Sequence, residues 1–494
     1  MKILGRIKKD RGVAEEAHED EFPNEEDAEG SYASIENLPG SPKVFQRHEH
    51  SISRRQIDHD ALKVMYRLLG AGHTAFLVGG GVRDLLLGKN PKDFDIGTDA
   101  TPEEVRRLFR NSRIIGRRFK INHVYFRDGK IIEVATFRHD EEPLANIDEG
   151  EDASLLIRND NRWGNPETDA RRRDLTINGL FYDLNSFSVV DYVGGMDDLR
   201  NGVIRVIGDP YVRFREDPVR LVRTVRHAAR IGFTIEPTAL QAIYELADQL
   251  KLCSSARLYE ELVKDFESGS FLSYSYLLDE TGLLKYILPK FAQARERATS
   301  AQKIEMDSII RNLDTAVRAG EKISPGVWLS ALHFESHAEY EGEHAWVGEY
   351  YLKLYPKNVT QYRELLQKNE GKEVSPSRED RKPLQSDLRK VLEQMSFVAA
   401  IPRKEKDRMA DILYARFQLM EYYFGLSRRG VTPLSRSRQE ELRQLLGVTA
   451  IDEQLEECFQ FYCEQKVHAN TAPAKDNKRR RNRRRRKPRR NDDT

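Results

Sequence analysis

Residues 77–96 read LVGGGVRDLLLGKNPKDFDI, and this stretch decides the fold. A short apolar strand runs into the glycines at 79–81, and a helical pattern follows until Gly88. A second short strand then carries Asp93 and Asp95. Glycines between a strand and a helix let the backbone approach phosphate groups closely, and the free N–H groups of a helix start favour anions. The stretch therefore predicts a strand, a phosphate-binding turn, a helix and a second strand that carries acids.

The flanking segments extend this core into a small mixed sheet backed by helices. Order is expected to begin near Ile57, and residues 57–70 have helical spacing. Thr101 is expected to cap a further helix because Pro and two acids follow it. Strands are predicted at 121–127 and 130–137, joined by a tight turn at Asp128-Gly129. The element order is therefore β-α-β-α-β-β.

The rest of the chain is expected to be a loop over residues 140–170, a helix and a hairpin over 174–207 with the hairpin turn at Asn201-Gly202, and mainly helices from Asp217 onward. The predicted fold class is α+β: a small mixed-sheet head domain followed by an all-helical neck, body and tail, with disordered termini. The domains are expected, in chain order, to be an acidic leader at 1–50, the head at 51–185, the neck at 186–290, the body at 291–468 and an Arg-rich tail at 469–494.

Charge is distributed very unevenly along this chain of net charge +1. Residues 15–29 hold nine acidic side chains and no Lys or Arg, whereas residues 475–494 hold twelve Lys or Arg against three Asp. Charge blocks of this kind rarely fold and often bind partners. A flexible polycation is expected to bind nucleic-acid phosphates with little sequence preference.

Composition argues against several classes of protein. Three cysteines without a CxxC pair argue against a disulfide framework and a zinc site, and a reducing, cytoplasmic location is expected. The start of the chain lacks a long apolar run, so no secretory signal is predicted. No run of about 18 apolar residues occurs, so stable membrane insertion is not expected.

Asp93 and Asp95 are the chemical centre of the prediction. Residues two apart on a strand point to the same face, so both carboxylates are expected to face one cation. Mg²⁺ commonly takes one or two carboxylates together with substrate phosphates, which predicts Asp93 and Asp95 as metal ligands. A lone DxD is more often an acidic surface turn, so its neighbours carry the argument. Glu133, within the apolar strand IIEVATF, is expected to complete the site as a ligand or as a base, unless it simply faces solvent.

The sequences LVGGGVRDLLLG and DFDIGT resemble the class II nucleotidyltransferases, a family that comprises bacterial poly(A) polymerases and CCA-adding enzymes. The resemblance covers roughly residues 55–285. It implies a magnesium-dependent transfer of nucleotides to RNA 3′ ends, with ATP as substrate. It also implies that the neck at 186–290 recognises the base of the nucleotide and that the helical body at 291–468 and the tail at 469–494 bind RNA. In this reading Gly79, Gly80 and Arg83 hold the triphosphate.

Two further motifs extend the resemblance. Residues 171–179, RRRDLTING, are similar to the RRDxTxNA element of the family, with Gly179 in place of Ala or Ser. The resemblance implies that Arg173 and Asp174 bind or orient the nucleotide, with Asp174 among the catalytic residues, and that Asn178 holds the ribose. The alternative is that Asp174 caps a helix and the arginines are solvated.

The second motif is REDPVRLVRTVR at residues 215–226, similar to the EDxxR helix of the family. By resemblance, Asp217 and Arg220 read the incoming base, and Arg223 and Arg226 contact phosphate. The arginines recur at helical spacing and are expected to form one stripe. A basic, solvated helix face is the alternative.

Residues 114–124, IIGRRFKINHV, are similar to a signature of the poly(A) branch, with Asn122 where a small apolar residue is usual. With the acidic leader and the Arg-rich tail, this favours a template-independent polynucleotide adenylyltransferase (poly(A) polymerase) that promotes RNA turnover. RNA 3′ ends, ATP and RNA-decay proteins are its expected partners. The alternatives are a CCA-adding tRNA nucleotidyltransferase, a non-catalytic RNA-binding protein, and a nucleotide-hydrolysing enzyme that uses the same carboxylates. His139-Asp140 is a lone His-Asp dipeptide, and no further His-rich cluster of the kind that a phosphohydrolase would add accompanies it in the sequence.

Overall fold

The computed structural model describes residues 41–116, 120–139, 163–334, 401–423, 434–449, 457 and 459–464. Its described residues up to Arg200 form a first unit, and those from Asn201 onward form a second. None of the described helices is long and apolar enough to cross a membrane.

An eight-stranded mixed sheet forms the first unit, in the order β1-β8-β7-β2-β3-β6-β5-β4. Its strands are β1 Lys43–Phe45, β2 Ala75–Val78, β3 Asp95–Thr98, β4 Ser112–Ile115, β5 Ile121–Tyr125, β6 Ile131–Thr136, β7 Leu180–Asp183 and β8 Ser188–Asp191. Within this sheet β3 and β6 pair parallel, and every other neighbouring pair is antiparallel.

Five helices accompany the sheet: α1 His59–Gly70, α2 Gly80–Leu86, α3 Pro102–Leu108, α4 Pro166–Arg171 and α5 Gly195–Asn201. Apolar residues of α1 and α3, including Met65, Leu68 and Val105, are buried in the main core. Asp58 caps α1, and Thr101 caps α3 in a reciprocal pair with Glu104.

One face of the sheet is apolar from strand to strand and forms the main core. Tyr182, Leu77, Ile96 and Val134 occupy one row of neighbouring partners across β7, β2, β3 and β6, and all four are buried. The next partner on β5 is Asn122, which is also buried and donates from Nδ2 to the carbonyl of Pro102 at 3.0 Å. Asn122 is therefore accommodated because the first turn of α3 offers it an acceptor.

The opposite face changes from apolar to polar at the centre of the sheet. Val190, Phe181 and Val78 are successive register partners in its apolar half, where they pack with Phe137 in a smaller cluster. The same row then continues across β3, β6, β5 and β4 as Asp95, Glu133, His123 and Arg113. The chemically active side chains are thus collected in one half of one face.

The second unit is mainly helical. Its helices are α6 Pro210–Glu216, α7 Val219–Ile231, α8 Pro237–Leu246, α9 Ser255–Phe266, α10 Phe271–Glu280, α11 Leu284–Ile287, α12 Pro289–Arg297, α13 Ser300–Arg318, α14 Pro325–Phe334, α15 Arg403–Tyr423 and α16 Arg436–Val448. Two short strands, β9 Val203–Ile204 and β10 Thr234–Ile235, pair parallel. The prediction that the neck at 186–290 is all-helical is therefore wrong, since β8 also lies within that range. Phe266 stacks on Trp328 with ring centroids 4.8 Å apart, and Phe271 meets the same indole edge-on.

The predicted α+β class, the capped helix after Thr101 and the 121–137 hairpin are confirmed. Order was expected to begin near residue 57, and this is wrong, because Lys43–Phe45 pair with β8. The prediction of a loop over residues 140–170 is wrong at its C-terminal end, where Asn165 caps the helix α4. The leader up to residue 40 and the tail at 469–494 lie outside the described residues.

The hairpin expected within 174–207 was placed around Asn201-Gly202, whereas the strands that pair are β7 and β8. The predicted head boundary at residue 185 therefore falls inside a hairpin of the sheet. The first unit continues to Arg200, so we place the end of the head there.

Gly97 of β3 provides a test of the packing in the smaller apolar cluster that contains Phe137 and Val78. A Cβ at this position would lie 2.6 Å from Cε1 of Phe137 and 3.0 Å from Cγ1 of Val78. We expect Gly97→Ala to lower the free energy of unfolding by about 1–3 kcal/mol, because the ring must move. Urea unfolding measures this.

Gly70→Ala is the matched control, since a Cβ there meets nothing within 4 Å. It lies in the last turn of α1 and is expected to leave stability unchanged or to raise it by up to about 1 kcal/mol. Equal stability of the Gly97→Ala variant and the wild type would contradict the packing described here.

Candidate active site

The glycine turn between β2 and α2 brings two distant segments against each other. Gly79 has φ 70° and ψ −130°, a conformation that L side chains rarely adopt. A Cβ on Gly79 would lie 2.8 Å from Nη1 of Arg173, and one on Gly81 would lie 3.4 Å from the carbonyl oxygen of Asp93. The turn therefore places both Arg173 and Asp93 against the start of α2.

Arg83 points into the protein. Its Nη1 donates to Oδ1 of Asn178 at 2.6 Å, and its Nε and Nη2 donate to Oδ1 of Asp84 at 2.9 and 2.7 Å. Asn178 in turn donates from Nδ2 to Oδ1 of Asp174 at 3.0 Å. Arg83 is only 2% exposed. The structure therefore does not support the prediction that the Arg83 side chain binds the triphosphate. Its contacts indicate that it positions Asn178 and, through Asn178, Asp174.

Asp95 and Glu133 are register partners on the parallel strands β3 and β6, with their side chains on one face. Asp93 precedes the strand and is exposed, so the expected alternation of Asp93 and Asp95 within one strand is wrong, although Asp93 still acts on Asp95 electrostatically. Burial and, after it, the charges of Glu133 and Asp93 together raise the pKa of Asp95 to about 6, while the charge of Arg173 opposes them. The carboxylates therefore repel one another across a partly buried space.

His123 neighbours this pair and is a residue that the sequence reasoning did not identify as part of the site. Its Nε2 lies 3.3 Å from Oε1 of Glu133, directly across the β5–β6 ladder. The turn predicted from the sequence gives the wrong register for this neighbour. A two-residue turn at Asp128-Gly129 would place another residue opposite Glu133, but the observed turn has three residues, Arg127–Gly129, with Phe126 bonded to Lys130.

Asp169 is a second residue missed from the sequence, and it holds two of the arginines that follow it. Its Oδ1 accepts from Nε and Nη2 of Arg172 at 2.9 and 2.6 Å, and its Oδ2 accepts from Nε and Nη2 of Arg173 at 3.2 and 2.9 Å. Burial pushes the pKa of Asp169 up, but Arg173 and Arg172 outweigh it and hold that pKa below its usual value. The guanidinium of Arg173 also lies over the ring of Phe181, at 5.3 Å from its centroid. Spacing of three and four residues from Asp169 was the available signal.

In the second unit, Asp217 stands between α6 and α7 and forms a two-pronged ion pair with Arg257. Nη1 and Nη2 of Arg257 donate to Oδ1 and Oδ2 of Asp217 at 2.7 and 2.6 Å. Such a bidentate pair fixes the plane of the carboxylate. Arg220 and Arg223 follow on α7 and are half-buried.

Arg226 leaves the stripe that was expected on α7. It is 7% exposed, donates from Nη1 to Asp265 at 3.0 Å and pairs with Glu261 through Nη2. Glu261 also lies 3.6 Å from Nη1 of Arg223. Burial acts to raise the pKa of Glu261, but the cations prevail and lower it to about 2. The prediction that the arginines of α7 form one accessible stripe is therefore wrong for Arg226, because its ion pairs with Glu261 and Asp265 lie inside the second unit.

The donor set of the first unit fits a magnesium ion of limited protein coordination. Among the described residues no group of three or more His, Cys, Asp or Glu side chains is arranged to hold a metal. Two clustered carboxylates, one with a pKa of about 6, still match a hard cation that takes its remaining ligands from phosphate and water. Asp95 is the residue best placed to bind such an ion, with Asp93 or Glu133 beside it.

Asp95→Asn tests this electrostatic description. Because the pKa of Asp95 is raised, the folded protein holds a proton that the unfolded chain has released, so stability falls as pH rises from about 4 to 6. The ionised carboxylate remains a cost above that range. With EDTA at pH 7.5, we expect the variant to be about 1–3 kcal/mol more stable than wild type in urea unfolding, and the difference to vanish near pH 4.

Asp197→Asn is the control, because Asp197 is exposed and pairs with Lys43 at the surface. It is expected to change stability by no more than about 1 kcal/mol at either pH. A variant at Asp95 that is no more stable than wild type at pH 7.5 would contradict the repulsion.

Comparison with known proteins gives matches in the same segments. Residues 75–205 match the family described as the poly A polymerase head domain, and residues 232–295 match the "Probable RNA and SrmB- binding site of polymerase A". Poly(A) polymerase I of Escherichia coli O6:H1 is 47% identical over 294 residues, 58% of this chain and 63% of the relative. The Haemophilus influenzae protein of that name is 38% identical over 294 residues, again 58% of this chain and 64% of the relative.

More distant relatives include the CCA-adding enzyme of Bacillus subtilis, 33% identical over 249 residues, 50% of this chain and 60% of the relative. A solved complex of a CCA-adding enzyme with ATP shares the fold, with a TM-score of 0.51, 19% identity and coverage of 84% of each chain. The chain spans less than two thirds of the length of the curated relatives it matches. In its matched segments, which contain the glycine turn and the carboxylates, the chain is similar to the poly(A) polymerases and the CCA-adding enzymes.

Proposed function

We propose that this protein is a template-independent polynucleotide adenylyltransferase that adds AMP from ATP to RNA 3′ ends. The observation that carries the proposal is the Asp95–Glu133 pair on parallel strands, next to the glycine turn at Gly79. Two like charges at this position are a cost unless they hold a cation that also holds phosphates. The identity of 47% to a poly(A) polymerase I supports adenylate transfer in particular.

The reaction is an in-line displacement at the α-phosphorus of ATP. A new bond forms between this phosphorus and the RNA 3′-oxygen, and the bond to the pyrophosphate oxygen breaks. Mg²⁺ held by Asp95 and Asp93 would supply activation of the 3′-hydroxyl and neutralisation of the leaving pyrophosphate. Glu133 is close enough to Asp95 to share in this site as a ligand or as a base, and His123 orients it.

The other predicted site residues of the first unit bind and orient the nucleotide. The backbone of Gly79 and Gly80 approaches the triphosphate, and Arg173, fixed by Asp169, faces the same turn. Asp174 and Asn178 contact the sugar side of the nucleotide, held in place by Arg83.

In the second unit, Asp217 and Arg220 read the adenine edge, and Arg223 contacts phosphate. Arg257 has the supporting role of holding Asp217 in one plane. Arg226 is assigned to the internal ion pairs of this unit instead of to substrate.

The wider setting follows from the same activity. We propose that the protein is cytoplasmic, that its A-tails promote RNA turnover, and that RNA-decay proteins are partners. The Arg-rich segment at 469–494 supplies non-specific RNA affinity, because each phosphate contact releases counterions. CCA addition is the second candidate, favoured by the CCA-adding relatives at 33–39% identity.

Primer extension with each of the four NTPs tests the proposal. With Mg²⁺ and an unstructured RNA primer, the full chain is expected to add long A-tails, and Asp95→Ala to lose at least about 10³-fold in rate because the metal loses a ligand. Asp197→Asn is expected to keep the wild-type rate, since Asp197 pairs with Lys43 at the surface.

Each other outcome points to a named alternative. Incorporation of CTP followed by a stop after three units on a tRNA lacking its end would identify a CCA-adding enzyme. RNA binding without extension by the wild type would identify a non-catalytic RNA-binding protein. Full activity of the Asp95→Ala variant would disprove the assigned carboxylate.

Arg257→Lys tests base selection. An ammonium cannot hold both oxygens of Asp217 at once, so the carboxylate plane is released. We expect the preference for ATP over CTP, measured as the ratio of kcat/KM values, to fall about tenfold, which is about 1.4 kcal/mol.

Arg205→Lys is the matched control, because Arg205 makes a long surface contact of 3.8 Å with Glu236 in the same unit. It is expected to leave the ratio unchanged. An unchanged ratio in the Arg257→Lys variant would mean that the Asp217–Arg257 pair has no part in selection.

A further inference from the structure

The part of the sheet formed by β6, β5 and β4 carries apolar and aromatic side chains on the same face as Asp95 and Glu133. Along β5, Asn122 and Val124 are buried on the core face, so the alternate residues point to the other face and are only half-buried. The side chains that share this second face by register are Arg113, Ile115, Ile121, His123, Tyr125 and Ile131, and together they are called the open face.

The open face leaves apolar surface in contact with water. Ile131 is 41% exposed and Ile115 is 38% exposed, whereas Ile132 and Val134, on the core face of the same sheet, are buried. Exposed apolar side chains that lie together and are bordered by charged groups mark a surface that binds something. Of these strands, the reaction as described above uses only Glu133 and His123.

Tyr125 and Arg113 lie together on the open face. The Tyr125 ring centroid is 6.3 Å from that of His123, with the ring planes 64° apart, and 5.8 Å from Cζ of Arg113. Asn111 fixes the backbone of Tyr125, because its Nδ2 donates to the Tyr125 carbonyl at 2.6 Å. Within the part of the chain that the structure describes, no carboxylate pairs with Arg113. A ring on which a base stacks and a cation that meets a phosphate are the two components of surfaces that bind single-stranded nucleic acid.

Charge changes sign along the row of register partners that crosses the active centre. The row begins with the carboxylates of Asp95 and Glu133, continues with His123 and ends with the guanidinium of Arg113. Neighbouring strands lie about 4.8 Å apart, so Arg113 is about 14 Å from Asp95 across the sheet. Carboxylates repel a phosphodiester and Arg113 attracts one. The row therefore suits a chain that places a hydroxyl group at the carboxylates and its nearest phosphate at Arg113.

The geometry of an in-line displacement separates the two substrates. The attacking 3′-oxygen and the leaving pyrophosphate lie on opposite sides of the phosphorus. Gly79 follows Val78, the β2 partner of Asp95, so the turn assigned to the triphosphate lies on the β2 side of β3. β6, β5 and β4 lie on the other side of β3. The RNA 3′ end therefore approaches over the open face.

We propose that the open face binds the 3′-terminal nucleotide of the RNA primer, with its base on the ring of Tyr125 and the phosphodiester before it on Arg113. The inference rests on the proposed function for the identity of the substrate. Because the adenine of ATP is assigned to Asp217 and Arg220, the ring of Tyr125 serves the primer. The proposal adds two substrate-binding residues to the first unit.

Tyr125→Leu in the full chain tests the base contact, because leucine keeps apolar bulk and removes the ring. In primer extension with Mg²⁺ and an oligoadenylate, we expect the KM for the primer to rise about tenfold, the contribution of one stacked base, and the KM for ATP to stay the same. Tyr125→Phe keeps the ring and is expected to keep both values. An unchanged KM for the primer in the Tyr125→Leu variant, or a rise confined to the KM for ATP, would overturn the proposal.

Arg113→Gln tests the phosphate contact. Binding of the oligoadenylate is followed by fluorescence anisotropy over a range of salt concentrations, and the slope of log K against log salt is expected to fall by about 0.7, the value for one phosphate of a single strand. Arg107→Gln is the charge-matched control, since Arg107 is exposed on α3 and lies 3.7 Å from Glu104. It is expected to keep the wild-type slope. Equal slopes for the two variants would show an effect of overall charge and would contradict the contact.

Altered primers locate both contacts at the 3′ end. An abasic terminal nucleotide is expected to weaken binding to the wild type without weakening it further in Tyr125→Leu. A neutral methylphosphonate in the last linkage is expected to do the same for Arg113→Gln. Each pair removes one interaction from both sides, so the two losses do not add. Fully additive losses would place the contacts elsewhere on the RNA and would refute the proposal.

A photoreactive primer separates this surface from the proposed reaction. A thiouridine at the 3′ terminus is expected to crosslink to the peptide of β5 that contains Tyr125. Crosslinking there by a wild type that extends no primer would remove the adenylyltransferase and leave the surface intact. Extension by the wild type, with normal primer binding by Tyr125→Leu and Arg113→Gln, would remove the surface and leave the reaction.

Discussion

The parallel pairing of β3 with β6 sets Asp95 beside Glu133, and the charged groups of the first unit are arranged around this juxtaposition. Two carboxylates in register on adjacent strands repel each other, and burial adds to the cost by raising the pKa of Asp95 to about 6. Such a cost persists only where the surrounding core over-determines the backbone. Here the opposite face of the same strands supplies that core, through Ile96 and Val134.

A restrained cation, the guanidinium of Arg173, offsets the repulsion between the two carboxylates. Arg173 lowers the pKa of Asp95, and Asp169 holds Arg173 with two hydrogen bonds, so the compensating charge cannot move away. The lack of a side chain at Gly79 lets this guanidinium approach the turn. The second unit repeats the principle, since a carboxylate and an arginine fix each other in the Asp217–Arg257 pair. Rigid charges need no rearrangement when a polyanionic substrate binds.

Local signals predicted the elements well and the contacts between elements poorly. Thr101 and Glu104 correctly predicted the start of a helix, and Asp128-Gly129 correctly predicted a hairpin. Both predictions succeeded because caps and turns are properties of a few consecutive residues. Arg83 and Arg226 were expected to face substrate, yet both are buried. Arg83 pairs with its neighbour Asp84 and donates to Asn178, 95 positions away, and Arg226 pairs with Glu261, 35 positions away. A guanidinium takes whichever acceptor the fold brings near it, and spacing along the chain does not show that acceptor.

The sequence by itself determined that a glycine turn precedes a pair of acids two residues apart, and from this it predicted a phosphate-binding turn beside a cation site. Only the tertiary structure decided which groups share that site. A three-residue turn instead of a two-residue one places His123 opposite Glu133, and a parallel crossover places Glu133 beside Asp95. Strand register alternates faces with every residue, so these neighbours depend on non-local hydrogen bonds that no local pattern encodes.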